Sequence, residues 1–289
     1  MTSRYFINFL LISLTILAFS CDQEIDLTLD GPPQKLVVEG RIAYNADKPV
    51  AEQTITLSVL GEFFENNETP RATGAVVSVM DGNGQVFNYS EKAPGVYSNS
   101  LLKGEPGQTY TLSIDWDGQK FEAIETLVNV VPIDTIYQVF EEENLFEDGG
   151  IKIAIDFLDQ SGTENFYLWE TYLEGELQIL PDPGNKNNLI GSDDFFDGQQ
   201  IVGYFPNEEL VFDPGDQVSV QQIGLSRNAY SYYFTLYDQL GRLGAALDTP
   251  PVPIRGNIRN LTNPDNFPLG YFLVSEFDEK THVIIQTNE

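Results

Sequence analysis

The sequence predicts a mainly β protein: an N-terminal immunoglobulin-like antiparallel β-sandwich, followed by a second β-rich domain with one or two short helices. Three observations lead to this prediction. Short alternations of apolar and polar residues recur along most of the chain, turn residues separate them, and one segment has clear helical spacing. Hydrophobic residues make up 42% and aromatic residues 12% of the 289 residues, which is enough for packed cores.

The immunoglobulin-like sandwich is predicted over residues 35–131, where about seven short strands follow one another at close intervals. Asp-Gly-Asn-Gly at 81–84 and Asp-Gly at 117–118 tolerate positive φ, so both are predicted as hairpin turns. Tyr110 follows a turn that contains Gly and Pro, which indicates either a tyrosine corner or an ordinary core tyrosine. The predicted strands are 36–42, 55–59, 75–79, 86–89, 95–97, 110–114 and 121–124.

The second domain is predicted over residues 132–289, after a junction at 131–134. It contains a long irregular stretch, 180–197, that is rich in Pro, Gly, Asn and Asp. Loops of that length are usually functional or mobile. The predicted strands are 151–157, 166–173, 218–223 and, as two separate final strands, 271–274 and 282–285.

One helix is predicted after Ser226, which is a suitable N-cap residue. At helical spacing Tyr230, Tyr233 and Tyr237 share one face. Tyr232 points elsewhere. We consider two interpretations of the shared face: the rings stack on a sugar or peptide ligand, or they pack in the core with their hydroxyl groups at the surface. The first interpretation makes the three tyrosines candidate contacts for a ligand or a partner protein.

Residues 1–20 have the pattern of a lipoprotein signal peptide. Arg4 precedes an apolar run that is too short to span a bilayer comfortably, and the run stops beside Cys21. We expect cleavage before Cys21 and acylation of its thiol and new amine, which anchors the chain in a lipid bilayer. Residues 21–34 then form an acidic tether. Because Cys21 is the only cysteine, lipidation leaves none for a disulfide, a structural zinc site or a thiol nucleophile.

The formal net charge of −29 excludes nucleic-acid binding, which needs clustered Lys and Arg side chains. Catalytic signals are scarce. His282 is the only histidine and no Gly-x-Ser-x-Gly motif accompanies it, so no enzyme activity and no cofactor are expected. A pair of glycosidase carboxylates is formally available among the 44 acidic residues, but only a three-dimensional arrangement would identify it.

Calcium is the metal that the sequence makes reasonable. Asp193, Asp194 and Asp197 place oxygen ligands beside Gly198 at the end of the long irregular stretch. The segment lacks EF-hand spacing and a closing glutamate, so a solvated loop is the competing interpretation. Zinc sites of the usual kind need several His or Cys ligands, which this chain does not have.

Several short segments, taken in order, resemble the Bacteroidota lipoproteins grouped as the domain of unknown function 4249 family. Each segment is a weak strand or turn signature, and their order along nearly the whole mature chain makes the resemblance. The segments are 21–27, 36–40, 95–97, 107–110, 131–134, 195–199 and 269–272. The resemblance implies a companion of a TonB-dependent outer-membrane receptor, comparable to SusD-type lipoproteins, and it implies no catalytic residues.

The resemblance also suggests roles for two short motifs. Four residues after the lipidated cysteine are similar to the signal that sends lipoproteins of these bacteria to the outer leaflet: Asp22, Gln23, Glu24 and Asp26. A solvated acidic linker is the alternative, and in the enteric system aspartate after the cysteine favours inner-membrane retention instead. Thr135, within Asp-Thr-Ile, resembles the O-glycosylation acceptor of the same bacteria.

We therefore expect a non-enzymatic, lipid-anchored protein of the outer membrane that faces the cell surface. It would bind a ligand or assist a TonB-dependent receptor in nutrient capture. A surface adhesin or structural lipoprotein is the alternative, because sandwich domains serve that role widely and a fold does not determine function. An enzyme that acts on polysaccharide comes third.

Overall fold

Strands dominate the residues that the structure, a computed structural model, describes: 34–60, 69–143, 149–178, 189–240 and 252–286. These residues belong to one compact unit, Pro33–Glu289. The predicted signal peptide and all but the last residue of the predicted tether lie outside them. In chain order the elements are β1 (Lys35–Tyr44), β2 (Gln53–Leu60), β3 (Val76–Met80), β4 (Val86–Asn88), β5 (Ser90–Ala93), β6 (Val96–Asn99), β7 (Thr109–Trp116), β8 (Gln119–Thr126), β9 (Ile133–Glu141), β10 (Gly150–Leu158), β11 (Phe166–Leu173), β12 (Glu176–Gln178), β13 (Ile190–Ser192), β14 (Gln200–Tyr204), β15 (Gln217–Gly224), α1 (Arg227–Leu240), β16 (Arg259–Asn260) and β17 (Leu269–Val283).

The N-terminal strands form the predicted immunoglobulin-like sandwich. One sheet has the order β1-β2-β6-β5, and the other has the order β8-β7-β3-β4 with β16 added next to β8. Lettered along the chain, these are the A-B-E-D and G-F-C-C′ sheets of an immunoglobulin-like domain. Side chains alternate between the core and the outer face along β1 and β7. The core between the sheets includes Val38, Ile55, Leu57, Val79, Tyr97, Leu112 and Ile114.

Tyr110 forms a tyrosine corner at the start of β7. Its side chain is fully buried. Its hydroxyl oxygen accepts a hydrogen bond from Glu105 N (2.9 Å) and donates one to Lys103 O (3.3 Å). The hydroxyl therefore ties the strand to the loop before it, and of the two interpretations of Tyr110 the structure supports the corner.

A second sandwich follows the junction. The three-stranded sheet β14-β10-β9 packs over β11 and β15 of the large sheet. Aromatic rings fill its centre: the ring centroid of Phe157 lies 5.5 Å from that of Tyr167 and 6.0 Å from that of Trp169. The mainly β fold class, with a second β-rich region, is therefore confirmed. The core includes Ile133, Ile153, Ile155, Phe157, Tyr167, Trp169, Val218 and Val220.

β17 is the longest of the described strands and belongs to both regions. Residues 269–276 pair in parallel with β1. Residues 277–283 pair antiparallel with β15. One continuous sheet, β12-β11-β15-β17-β1-β2-β6-β5, therefore crosses the predicted junction.

The prediction of two separate final strands, 271–274 and 282–285, was wrong because the polar stretch between them continues the strand. The polar side chains find their partners on neighbouring segments. Glu279 accepts hydrogen bonds from Lys48 Nζ (2.9 Å) and from Gln221 Nε2 (2.8 Å). Such side-chain pairs between segments stabilise a polar strand. The apolar periodicity of the strand itself does not predict them.

The predicted junction at 131–134 is hydrogen-bonded to β17. Glu276 Oε2 accepts a hydrogen bond from Val130 N (3.1 Å), and Asp278 Oδ2 accepts one from Ile133 N (2.8 Å). Two acidic side chains of β17 thus satisfy backbone donors just before β9 and at its first residue.

Two hydrophobic cores lie on either side of the junction. The first is built from residues between 36 and 127, with Ile258, Phe272 and Val274 added from the C-terminal part. The second is built from residues between 133 and 284. The first core thus takes residues from both predicted domains, and the division into domains 35–131 and 132–289 stays a prediction.

Helix α1 begins where the sequence predicts. Ser226 caps it, since Ser226 Oγ accepts a hydrogen bond from Ala229 N (3.1 Å). α1 covers the face of the large sheet opposite the second core, where it packs near Phe166, Leu168 and Ile223. Within the described ranges, no helix has both the length and the apolarity to cross a bilayer.

The close approach of β17 to β1 predicts a large cost for Gly270→Ala. Gly270 has φ +89°, and a Cβ there would lie 2.0 Å from Val38 O, inside the backbone of the paired strand. Both the left-handed conformation and the clash oppose the substitution, so the free energy of unfolding is expected to fall by at least about 3 kcal/mol. Urea unfolding of the purified protein measures this loss.

Gly118→Ala is the matched control. Gly118 also has positive φ (+68°), but no atom lies within 4 Å of its Cβ position. Its substitution should therefore cost only about 1–2 kcal/mol, from the left-handed conformation alone. Equal losses for the two variants would contradict the tight contact between β17 and β1.

Candidate functional site

A cavity of about 720 Å³ lies between helix α1 and the outer face of the large sheet, and we call it the α1 cavity. The alternation of β1 explains its position. Residues 36, 38 and 42 fill the sandwich core, so Val37, Glu39 and Arg41 on the opposite face line the cavity. Cavities of roughly 300–1,000 Å³ hold small-molecule ligands, so this volume suits one. Lining residues include Val37, Arg41, Glu170, Tyr233, Leu236 and Tyr271.

Three tyrosine rings form one wall of the α1 cavity. Tyr232 and Tyr233 come from α1, and Tyr271 comes from β17. The ring of Tyr271 lies 5.0 Å from that of Tyr232 and 6.0 Å from that of Tyr233. Burial raises the pKa of all three hydroxyl groups. The wall therefore offers ring faces and protonated hydroxyl groups at neutral pH.

An ion pair lies at the cavity floor. Arg41 Nη1 lies 3.2 Å from Glu170 Oε2, and the same oxygen accepts a hydrogen bond from the Tyr172 hydroxyl (2.7 Å). The two side chains are 29% and 19% exposed, so water screens this pair less than a surface pair. Arg41 Nε and Nη2 are buried and have no hydrogen-bond partner in the described part of the chain. The guanidinium thus keeps donors that the pair with Glu170 does not use.

The structure gives different surroundings to the three tyrosines that the helical spacing placed on one face. Of them, Tyr233 lines the α1 cavity. Tyr230 stacks on Phe166, with 4.7 Å between ring centroids, and Tyr237 stacks on Tyr233 at 6.4 Å. Tyr232, expected to point elsewhere, lines the cavity as well. Some rings of the helix therefore pack on the core and others face a cavity, and ligand contact by Tyr230, Tyr233 and Tyr237 stays a prediction.

Sequence reasoning missed Arg41, Glu170 and Tyr271. Glu170 is the only charged residue of β11, and this was the signal that could have found it. β1 also contains Lys35 and Glu39, so Arg41 carried no comparable signal. Tyr271 shares one face of β17 with Leu269 and Leu273, because side chains two residues apart point the same way. Apolar residues on that face as well as on the core face indicate that both faces of the strand are covered.

The acidic residues of the long loop are only partly brought together. Asp193 and Asp197 meet Asp159, and one carboxylate oxygen of each lies within 4.8 Å of the others. Asp194 instead accepts a hydrogen bond from Ser192 Oγ (2.8 Å). Asp159 and Asp193 are buried and Asp197 is exposed. Burial raises the pKa of Asp193, and the charges of Asp159 and Asp197 add to this effect.

The remaining predicted site residues lie in neither the α1 cavity nor the acidic cluster. Thr135 is exposed on β9, opposite Asp156. His282 lies on β17, with Nε2 3.1 Å from Gln138 Oε1. The lipidation and export residues are outside the described residues: Cys21, Asp22, Gln23, Glu24 and Asp26.

Comparisons with known proteins come from a family model and from solved structures. The model described as "Domain of unknown function (DUF4249)" matches residues 22–281. No curated protein matches the chain. One solved structure that matches is the adhesin InvE of Yersinia pseudotuberculosis, with 17% identity and a TM-score of 0.21, over 66% of this chain and 55% of that chain. The chain thus spans little more than half the length of that structure, and a TM-score this low carries no functional argument.

Glu170→Gln removes the counter-charge of Arg41 while keeping the size of the side chain. The partly buried guanidinium is then uncompensated, so the free energy of unfolding should fall by about 1–2 kcal/mol. Glu39→Gln is the matched control. Glu39 lies on the same face of β1 as Arg41, but it is exposed and forms no ion pair among the described residues. It should change stability by less than about 0.5 kcal/mol. Urea unfolding compares the two, and equal changes would contradict a stabilising role for the pair.

Proposed function

The chain belongs to the DUF4249 family, and for this member we propose a lipid-anchored binding protein of the cell surface whose ligand occupies the α1 cavity. The observation that carries the proposal is the cavity itself. Its volume of about 720 Å³ suits a small ligand, and a tyrosine wall faces it. The floor holds the Arg41–Glu170 ion pair.

The lining indicates the chemistry of the ligand. Val37, Leu236 and Leu273 provide apolar contact, and the rings of Tyr233 and Tyr271 provide flat faces for stacking. Stacking on such rings contributes about 0.5–1.5 kcal/mol per ring pair beyond simple burial. Hydroxyl groups at the ring tips add hydrogen bonds. A sugar or a peptide segment combines an apolar face with polar edges and fits this lining.

The walls favour binding over chemistry. The sheet side of the cavity consists of β1, β2, β11 and β17 of one hydrogen-bonded sheet, which holds these lining residues in place before a ligand arrives. The charged groups on the floor neutralise each other at 3.2 Å. We infer that the pair orients a polar part of the ligand and takes no part in a reaction.

The proposed place of action follows from the N-terminal sequence. Acylation at Cys21 anchors the protein, and the acidic residues from Asp22 to Asp26 direct it to the outer leaflet of the outer membrane. A net charge of −29 keeps the folded part away from anionic headgroups, so the lipid provides the attachment. We propose that the protein there presents its ligand to a TonB-dependent receptor in nutrient capture.

Leu236→Trp should close the α1 cavity, because Leu236 lines it and tryptophan is much larger. We expect the neutral dye N-phenyl-naphthylamine to bind the native protein, and Leu236→Trp to weaken binding at least about tenfold, or about 1.4 kcal/mol. Thr235→Trp is the control, since Thr235 is on the same helix but exposed. Dye fluorescence titration measures both. Equal affinities for the two variants, or no binding to the native protein, would exclude the cavity as the binding site.

Cys21→Ser should release the protein from the membrane, because stable anchoring requires acyl chains on that residue. Fractionation of the producing cells measures this release.

Protease added to intact cells should degrade the unsubstituted protein, and purification in gentle detergent should recover a TonB-dependent receptor with it. Protease resistance of the mature chain would contradict surface exposure. Recovery of the protein alone would contradict the partnership.

A further inference from the structure

We propose that Asp159, Asp193, Asp197 and the side-chain oxygen of Asn165 form a calcium site, separate from the α1 cavity. The three aspartates come from different places: Asp159 directly follows β10, Asp193 directly follows β13, and Asp197 lies in the next turn. One carboxylate oxygen of each lies within 4.8 Å of the others. Calcium–oxygen distances of about 2.3–2.6 Å allow two ligands of one ion to be about 5 Å apart, so the separation fits.

The carboxylates are held in place by neutral donors, which orient them without cancelling their charge. The hydrogen bonds run from the Tyr167 hydroxyl to Asp159 Oδ1, from Gly198 N to Asp159 Oδ2 (2.9 Å), from Gly162 N to Asp197 Oδ1 (2.6 Å) and from Asn165 N to Asp193 Oδ2 (2.9 Å). Asp159 and Asp193 are each only 3% exposed. Within the ranges that the structure describes, no Lys or Arg forms an ion pair with any of the three. Buried charges of one sign require a counter-charge, and a cation supplies it.

Asn165 provides an independent indication of a cation. The residue is 9% exposed, and its Oδ1 is buried with no hydrogen-bond partner among the described residues. The backbone of Asn165 forms two hydrogen bonds with Asp193. Asn165 N donates to Asp193 Oδ2 (2.9 Å), and Asn165 O accepts from Asp193 N (3.1 Å). Because Asn165 N bonds the Asp193 carboxylate, the Asn165 side chain starts next to the acidic cluster, and we assign its unsatisfied Oδ1 to the same ion. An acceptor without a donor, next to anions, is what a metal ion satisfies.

The ligand atoms select calcium among the common metals. All four candidates are oxygens, whereas structural zinc sites use His and Cys. Magnesium usually keeps several waters and takes one or two carboxylates, whereas calcium accepts six to eight oxygens in flexible geometry. The exposed Asp197 leaves that side open to water, which completes the coordination.

The ion would fasten the turn at 193–199 to the second core. Phe196, within that turn, packs 6.3 Å from Phe157 between ring centroids, and Tyr167 beside it bonds Asp159. Binding would therefore link the end of β10, the end of β13 and the aromatic core in one place. The affinity expected for an extracellular module is a Kd of roughly 10⁻⁴–10⁻³ M.

The test uses the purified mature protein after treatment with a chelator, with calcium chloride alone as the probe. Calcium at ten times Kd should raise Tm by about 3–6 °C. Asp197→Asn should weaken binding at least about tenfold, and it is exposed, so the variant should still fold. Asp194→Asn, the same charge change in the same turn but outside the cluster, should bind within twofold of the unsubstituted protein.

Terbium luminescence gives a direct readout, because Tyr167 contacts Asp159 and would transfer excitation to a bound lanthanide. Calcium should quench this signal by displacement, and Asp197→Asn should lose it. An unchanged Tm on adding calcium, or equal effects of Asp197→Asn and Asp194→Asn, would overturn the site. An equal rise of Tm with magnesium at the same concentration would overturn the choice of calcium.

Discussion

The fifteen residues of β17 hold the described structure together, because they pair with two strands that lie far apart in the sequence. Eight positions pair in parallel with β1, near the start of the described chain, and the rest pair with β15. Closing so long a loop costs entropy that grows only slowly with its length, so a ladder of this size can offset it. Without β17 the two sandwiches would not share a sheet, and the α1 cavity would lose the lining residues Leu269, Tyr271 and Leu273.

Polar side chains join the two regions as much as apolar ones. Gln222, fully buried on β15, accepts a hydrogen bond from Trp169 Nε1 (2.8 Å) and donates one to Val131 O (2.8 Å). One amide thereby connects the second core to the junction. Together with Glu276 and Asp278 of β17, it satisfies partly buried backbone groups of the junction. These hydrogen bonds fix the alignment of β17 with the junction, because they could not form if the strand were shifted along its axis.

Strand β11 connects the two candidate sites through its alternation. Its residues 166, 168 and 170 face helix α1, and Glu170 carries the charge that pairs with Arg41 in the cavity. Its residues 167 and 169 face the second core, and Tyr167 bonds Asp159 in the acidic cluster. A single strand with period two therefore supports the α1 cavity on one face and the acidic cluster at the edge of the other. Fastening that strand at the acidic cluster would also steady the floor of the α1 cavity.

Local features of the sequence determined seven strands of the sandwich, though not β5, together with the hairpin at Asp117 and Gly118 and the N-cap at Ser226. Periodicity, positive φ and capping act between residues close together in the chain, so a linear pattern records them. Only the tertiary structure decided that β17 continues through a polar stretch, that Asp159 and not Asp194 joins Asp193 and Asp197, and that Tyr271 meets the tyrosines of α1. Each of these outcomes depends on which strands become neighbours. The packing of the whole chain sets those neighbours, so no single segment of the sequence can reveal them.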